Sequence, residues 1–160
     1  MFSKRISTLF LILCCTASTV FAQQCIDTNY FAPPFPICLS DFDPVCGCDG
    51  VTYKNYDCAS REAGILQYQL GPCGSLATNH YPNPVVGSEP LNIQVLNKYE
   101  DDINIEIKNL AGTLYKYEHY SRQTYLTDQY NLSGYPRGLY FMFIYNSTEF
   151  QVRKFMVWEP

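Results

Sequence analysis

Histidine is scarce in this 160-residue chain, and its two copies, His80 and His119, lie in no recognisable catalytic motif. A Ser-His-Asp active site needs a nucleophile held beside a positioned base, and neither histidine is placed to serve as one. We therefore predict that the protein is not an enzyme. Neither histidine lies at metal-ligand spacing from the Cys46-x-Cys48 pair, so the sequence predicts no metal site and no cofactor.

Clusters of basic residues are also absent. The chain has 11 Lys and Arg against 15 Asp and Glu, a formal net charge of −4. Because nucleic acids and anionic membrane surfaces attract concentrated positive charge, this balance argues against a nucleic-acid partner. Long hydrophobic runs are missing as well, since the apolar run at residues 9–15 is too short for a stable membrane span.

Residues 1–22 have the organisation of a secretory signal peptide. Lys4 and Arg5 supply the charged start, the short apolar run follows, and Ala22 is the small residue before the expected cut. A lipoprotein cut before Cys14 would need a small residue just upstream, and none stands there. We therefore predict soluble export rather than lipid anchoring.

Cysteine is absent after Cys73, whereas six cysteines lie between Cys25 and Cys73. An even number at this density is typical of three disulfides formed in an oxidising compartment. Six cysteines permit fifteen pairings, and their positions alone select none of them. The cysteine-rich part ends at residues 74–79, a polar segment that we predict to be a linker between domains at 23–73 and 80–160.

The two expected domains differ in hydrophobic pattern. In the first, an Asp-Gly turn precedes a short strand, residues 58–63 form a short helix capped by Asp57 or Asn55, Gly64 ends it, and residues 65–70 alternate like a strand. This predicts a small disulfide-rich α+β domain. In the second, short strands separated by turn formers predict an all-β antiparallel sandwich of immunoglobulin-like type. The expected strands are residues 91–95, 103–107, 139–145 and 151–158, with turns that include 100–102 and 111–112.

The cysteine-rich stretch contains the ordered series Pro44-Val45-Cys46-Gly47, Asp49-Gly50, Thr52-Tyr53, Asn55 and Cys58. This series resembles the signature of Kazal-type serine protease inhibitors. It implies the disulfides Cys25–Cys48, Cys38–Cys58 and Cys46–Cys73. Inhibitors of this type present a substrate-like loop that the staples keep too rigid for a protease to release after cleavage.

The resemblance also implies which residues contact the protease. Counting from Cys38, the reactive bond is Ser40–Asp41, and Asn55 and Tyr53 support the loop from below. Two features depart from the family pattern: the usual helix cysteine is absent, with Cys48 in its place, and one extra residue separates Asn55 from the next cysteine. The protease-binding loop is expected to comprise Leu39, Ser40, Asp41 and Phe42.

Ser40 limits the expected target. Its side chain offers neither positive charge nor a large apolar group, so the partner is expected to be a small-pocket, elastase-like or subtilisin-like serine protease. Burying such a small group contributes little energy, because a full Leu or Phe contributes about 1.5–3 kcal/mol. The alternative function is a non-inhibitory Kazal-like binding or adhesion module on the cell surface.

The second half of the chain contains an ordered series of residues: Tyr81-Pro82-Asn83-Pro84, Leu110-Ala111-Gly112, Gly138-x-Tyr140 and finally Lys154. This series resembles the type A C-terminal sorting domain of the type IX secretion system of Bacteroidota-type bacteria. The resemblance implies recognition by the secretion translocon after passage through the periplasm. The protein is then expected to be secreted or held on the outer cell surface. The residues of the expected sorting signal are Pro82, Asn83, Pro84, Gly112, Gly138, Tyr140 and Lys154.

Overall fold

The structure, a computed structural model, describes residues 24–27, 38 and 41–158. The expected signal peptide, Leu39 and Ser40 lie outside these residues. Within the described ranges, no helix has the length and apolar character needed to cross a membrane.

The N-terminal domain is built on a small antiparallel sheet. Its strands are β1 (Val45–Gly47), β2 (Thr52–Tyr53) and β3 (Tyr68–Leu70), in the order β2-β1-β3. The predicted Asp-Gly turn joins β1 to β2, with Gly50 at φ +78°. The predicted strand at 65–70 is shorter than expected, because Ile65 makes only an isolated bridge with Ile26 before β3 begins.

The predicted helix at 58–63 is a five-residue π-helix, Cys58–Glu62. Of its two candidate caps, Asn55 accepts a hydrogen bond from the Cys58 amide at 2.9 Å, whereas Asp57 makes no side-chain cap bond. Gly64 follows at φ +65°, and a Cβ there would lie 2.5 Å from the Asp27 carbonyl oxygen. This position therefore requires glycine for both its conformation and its space.

The C-terminal domain is a six-stranded sheet. Its main path runs β4-β6-β8-β9-β5, and β7 pairs with β6. The pairs are antiparallel except β5 with β9, which is parallel. Because these hydrogen bonds join every strand into one sheet, the immunoglobulin-like sandwich is not confirmed. The strands are β4 (Leu76–Tyr81), β5 (Val85–Val86), β6 (Leu91–Asn109), β7 (Leu114–Tyr130), β8 (Gly138–Tyr145) and β9 (Phe150–Trp158).

Two sequence expectations for this domain are wrong. Residues 100–102, predicted as a turn, lie inside β6, where the pairing with β7 shifts register between Leu96 and Ile103. Residues 74–79, predicted as a linker, instead contribute the first four residues of β4. The predicted turn at 111–112 is present, with Gly112 at φ +82° and its amide donating to the Asn109 carbonyl oxygen at 2.9 Å.

The core of the C-terminal domain explains the alternating pattern of the sequence. Alternate residues of β6 and β8 are fully buried, while the residues between them are partly exposed. Both halves of the long strand β6, one on each side of the register shift, contribute buried residues to the same core. The inward-facing residues of β6 are Leu91, Ile93, Val95, Ile103, Ile105 and Ile107.

Candidate functional site

Three disulfides frame the N-terminal domain. They join Cys25 to Cys48, Cys38 to Cys58 and Cys46 to Cys73, the same pairs that the Kazal resemblance implies. The Cα–Cα distances are 5.7, 4.7 and 4.7 Å. The second disulfide anchors the chain at Cys38, immediately before the predicted loop, and the third anchors it after β3.

The disulfides include both cysteines of the Cys46-x-Cys48 pair. Cys46 and Cys48 each lie in a disulfide, so neither offers a thiolate. Within the described ranges, one group of potential ligands combines Cys38 and Cys58 with Glu62, and its two sulfurs are also bonded to each other. The chemistry of this donor set does not fit a zinc site.

Asn55 braces the described part of the predicted protease-binding loop. Its side-chain amide donates to the Asp41 carbonyl oxygen at 2.9 Å, while its side-chain oxygen accepts the Cys58 amide at 2.9 Å. The residue is only 6% exposed, so water competes poorly for these bonds. The extra residue between Asn55 and Cys58 therefore leaves the brace in place. Asp41 is exposed and Phe42 is half-buried.

The backbone beyond the loop is held by main-chain hydrogen bonds. The Asp43 amide donates to the Lys54 carbonyl oxygen at 3.1 Å, and the Pro44 carbonyl oxygen accepts the Gly71 amide at 2.8 Å. These two bonds attach the segment to β2 and to the end of β3, and lead it into β1. Sequence reasoning missed Lys54 and Gly71, because their backbone groups act whatever their side chains are.

Tyr53 supports the adjoining turn. Its ring packs against the small core formed by Val45, Ala59 and Ile65, and its hydroxyl donates to the Asp49 carboxylate at 2.7 Å. Partial burial, reinforced by this hydrogen bond, raises the pKa of Tyr53 to about 12. The phenol therefore stays protonated at neutral pH and holds the Asp49 side chain over the turn.

The expected sorting residues fall into two groups. In the first, both X-Pro bonds of the Tyr81-Pro82-Asn83-Pro84 segment are cis. The segment brings the Asn83 side chain to β9, where it accepts the Met156 amide at 3.0 Å and donates to the Lys154 carbonyl oxygen at 3.4 Å. The structure thus joins the Pro-Asn-Pro segment to the backbone of Lys154, which lies 71 residues after Asn83 in the chain.

The second group lies beside the same stretch of β9, because Gly138 pairs with Val157 and Tyr140 pairs with Phe155. Gly138 and Tyr140 line an open cavity of about 550 Å³ together with Ala111, which precedes Gly112. The buried ring of Tyr140 stacks on Phe155 at 5.6 Å between ring centroids. Its hydroxyl donates to the Pro136 carbonyl oxygen at 2.8 Å. Burial raises the pKa of Tyr140 to about 12, so it remains a donor.

Comparison with known proteins gives matches for both parts of the chain. Residues 79–158 match the family described as "Secretion system C-terminal sorting domain". Residues 24–59 match the "Kazal-type serine protease inhibitor domain". One curated relative, "Serine protease inhibitor Kazal-type 9" of Homo sapiens, is 35% identical over 86 residues, covering 43% of this chain and 99% of that protein.

The fold and the braced loop thus define a disulfide-stapled Kazal domain joined to a β-sheet sorting domain. The chain belongs to the Kazal-type inhibitor family and to the family of proteins that carry a secretion-system C-terminal sorting domain. It is a secreted or cell-surface protein. The Kazal domain implies serine proteases as partners, the sorting domain implies the secretion machinery, and the Kazal family is non-enzymatic.

Proposed function

We propose that this protein inhibits serine proteases by presenting the Ser40–Asp41 bond as a rigid, substrate-like reactive bond. The observation that carries the proposal is the hydrogen bond from buried Asn55 to the Asp41 carbonyl oxygen. It fixes the backbone directly after the proposed bond, where a flexible substrate would separate once cut. Because the loop is held before binding, association loses little further conformational entropy.

The proposed targets are proteases with a small primary pocket, of elastase-like or subtilisin-like type, because Ser40 fills that pocket. Leu39, Asp41 and Phe42 would contact the enzyme on either side. The test measures inhibition by the oxidised protein of an elastase, a subtilisin and trypsin. We expect inhibition of the first two and none of trypsin.

A Ser40→Arg variant tests the position of the reactive bond. An arginine there supplies the positive charge that trypsin's acidic pocket binds, so trypsin inhibition should appear. Ser88→Arg, in an exposed turn of the sorting domain, is the matched control, since it adds the same charge away from the loop. Equal, negligible inhibition by both variants would leave the alternative function, a non-inhibitory binding or adhesion module on the cell surface.

We further propose export in two stages, with residues 1–22 removed as a signal peptide and the C-terminal domain read by the type IX translocon. Both halves of β6 pack into one core, which favours a two-layer, immunoglobulin-like arrangement of this domain. Since β4 begins at Leu76, the informative deletion removes residues 75–160. The truncated protein should accumulate in the periplasm; its normal appearance outside the cell would contradict the assignment.

A further inference from the structure

The segment that connects the two domains is very short. Only Gly74 and Ser75 separate Cys73, which is bonded to Cys46, from Leu76 at the start of β4. The Cys73 amide also donates to the Thr52 hydroxyl oxygen at 3.0 Å. The last staple of the Kazal domain is therefore followed at once by an edge of the sorting sheet.

Glu149, in the sorting domain, holds this junction. Its carboxylate accepts the backbone amides of Ser75 at 2.6 Å and Leu76 at 2.9 Å. A side chain at Gly74 would collide with the same carboxylate, so the backbone passes directly against it. Partial burial alone would raise the pKa of Glu149, but hydrogen bonds from Gln151, Ser75 and Leu76 outweigh it and lower the pKa. The anchor is thus charged at neutral pH.

The fixed junction brings the protease-binding loop against the sorting sheet. Phe42 and Lys54 face Ala77 and Asn79 of β4 across a cavity of about 120 Å³. Ala77 lies on the opposite face of β4 from the core residue Leu76, yet it is only 4% exposed. Its burial follows from cover by the Kazal domain.

A second groove continues along the same side of the loop. It has a volume of about 720 Å³, and Asp41, Phe42 and Lys54 line one wall while Tyr81 and Tyr125 belong to the other. Asp41 and Phe42 are the residues that follow the proposed reactive bond. The sorting sheet therefore borders a cavity that the primed half of the loop also lines.

A protease cannot share this space with the sorting sheet. Inhibitor–protease interfaces typically bury about 800 Å² on each partner, and the enzyme's cleft must pass on both sides of the reactive bond. Residues of β4 form the other wall of both cavities beside Phe42, on the side of the loop that an enzyme wall would occupy.

We propose that the outer face of β4 is a docking surface for the primed half of the loop, which keeps the inhibitor latent until the two domains separate. This inference rests on the proposed inhibitory function. The apparent affinity of a site open only part of the time falls in proportion to the open fraction. Separation should therefore strengthen inhibition at least about tenfold.

The test compares three full-length proteins in the Ser40→Arg background, with trypsin as the probe. The first has no insertion. The second has a twelve-residue Gly/Ser spacer between Gly74 and Ser75, which lets the domains part while Glu149 keeps its partners. The third carries the same spacer after Ser88, in an exposed turn that does not connect the domains, and serves as the matched control.

We expect the junction spacer to lower the trypsin inhibition constant at least about tenfold, with the control equal to the uninserted protein. Equally strong inhibition by all three proteins would overturn the docking surface and leave the inhibitory function intact. No inhibition by any of them would overturn the inhibitory function, and the docking proposal with it. As a second variant, Ala77→Arg forces a long side chain into the 120 Å³ cavity and should strengthen inhibition without a spacer, provided its thermal unfolding midpoint is retained.

Discussion

Substitutions at Asn55 can separate the two hydrogen bonds that its side chain makes. Asn55→Ala removes the donor to the Asp41 carbonyl oxygen and the acceptor for the Cys58 amide, both at 2.9 Å. Asn55→Asp keeps an acceptor for Cys58 but presents an oxygen to the Asp41 carbonyl, so the loop alone loses its brace. Tyr53→Phe is the control, because it removes the neighbouring hydrogen bond to Asp49 and leaves Asp41 untouched.

The size of each effect follows from burial. A typical hydrogen bond contributes about 0.5–1.5 kcal/mol net, and an unsatisfied buried donor costs about 1–3 kcal/mol. Cys58 is 5% exposed, so Asn55→Ala should destabilise the Kazal domain by about 2–4 kcal/mol. Losing the brace alone, at about 1 kcal/mol, raises the population of released loop roughly fivefold.

Two measurements distinguish the variants, both made in the protein with the junction spacer so that the loop is accessible. Mass spectrometry follows cleavage of the Ser40–Asp41 bond by subtilisin, and hydrogen exchange follows the Cys58 amide. Asn55→Ala should accelerate both, and Asn55→Asp should accelerate cleavage alone. If Asn55→Asp were cut as slowly as the unmodified protein and Tyr53→Phe, the brace would have no part in resisting the protease.

Two further perturbations test the supports around the loop. Glu149→Gln should destabilise the sorting domain by about 1 kcal/mol at pH 7. In the folded protein the pKa of Glu149 lies below its ordinary value of 4.5. The stabilisation provided by its carboxylate is therefore present above pH 4.5 and is lost as the pH falls through the pKa of the folded state. The difference in thermal unfolding between the two proteins should therefore shrink as the pH falls below 4.5, and a constant difference would contradict the role of the charge. Gly64→Ala should lower the free energy of unfolding more than Gly50→Ala. Both positions have positive φ, which alone should cost about 1–2 kcal/mol, but only Gly64 faces a backbone oxygen, that of Asp27. Equal losses of unfolding free energy in denaturant would contradict the steric argument.

Local sequence patterns were sufficient where one residue decides the geometry. Gly64 and Gly112 have the positive φ that their predicted positions require. Alternation correctly marked the buried side of β6, since a strand exposes opposite faces at successive residues. The Kazal resemblance supplied the disulfide pairs, which no spacing argument selects, and it pointed to Asn55. Leu39 and Ser40 remain predictions, because they lie outside the described residues.

Patterns failed where a distant partner decides the outcome. The acidic residues 100–102 favour a turn. In the structure, buried Asn97 donates to the carbonyl oxygens of Asp101 and Gln123, and these bonds connect β6 and β7 where their pairing shifts register. The polar residues 74–79 favour a linker, yet pairing with β6 and the Glu149 carboxylate make most of them strand. Leu76 and Glu149 are 73 positions apart in the chain, so the sequence around Leu76 does not indicate this contact.

The parallel pair of β5 with β9 sets the order in which the molecule can be completed. β5 is made early, but the strand it pairs with follows all the others along the chain. Val85 and Val86 must therefore wait through the synthesis of β6, β7 and β8 before their neighbour exists. The cysteine-rich half needs only to reach an oxidising compartment to form its disulfides, whereas the sheet closes only when β9 is also present, so a chain that lacked β9 would hold a disulfide-bonded domain beside an open sheet.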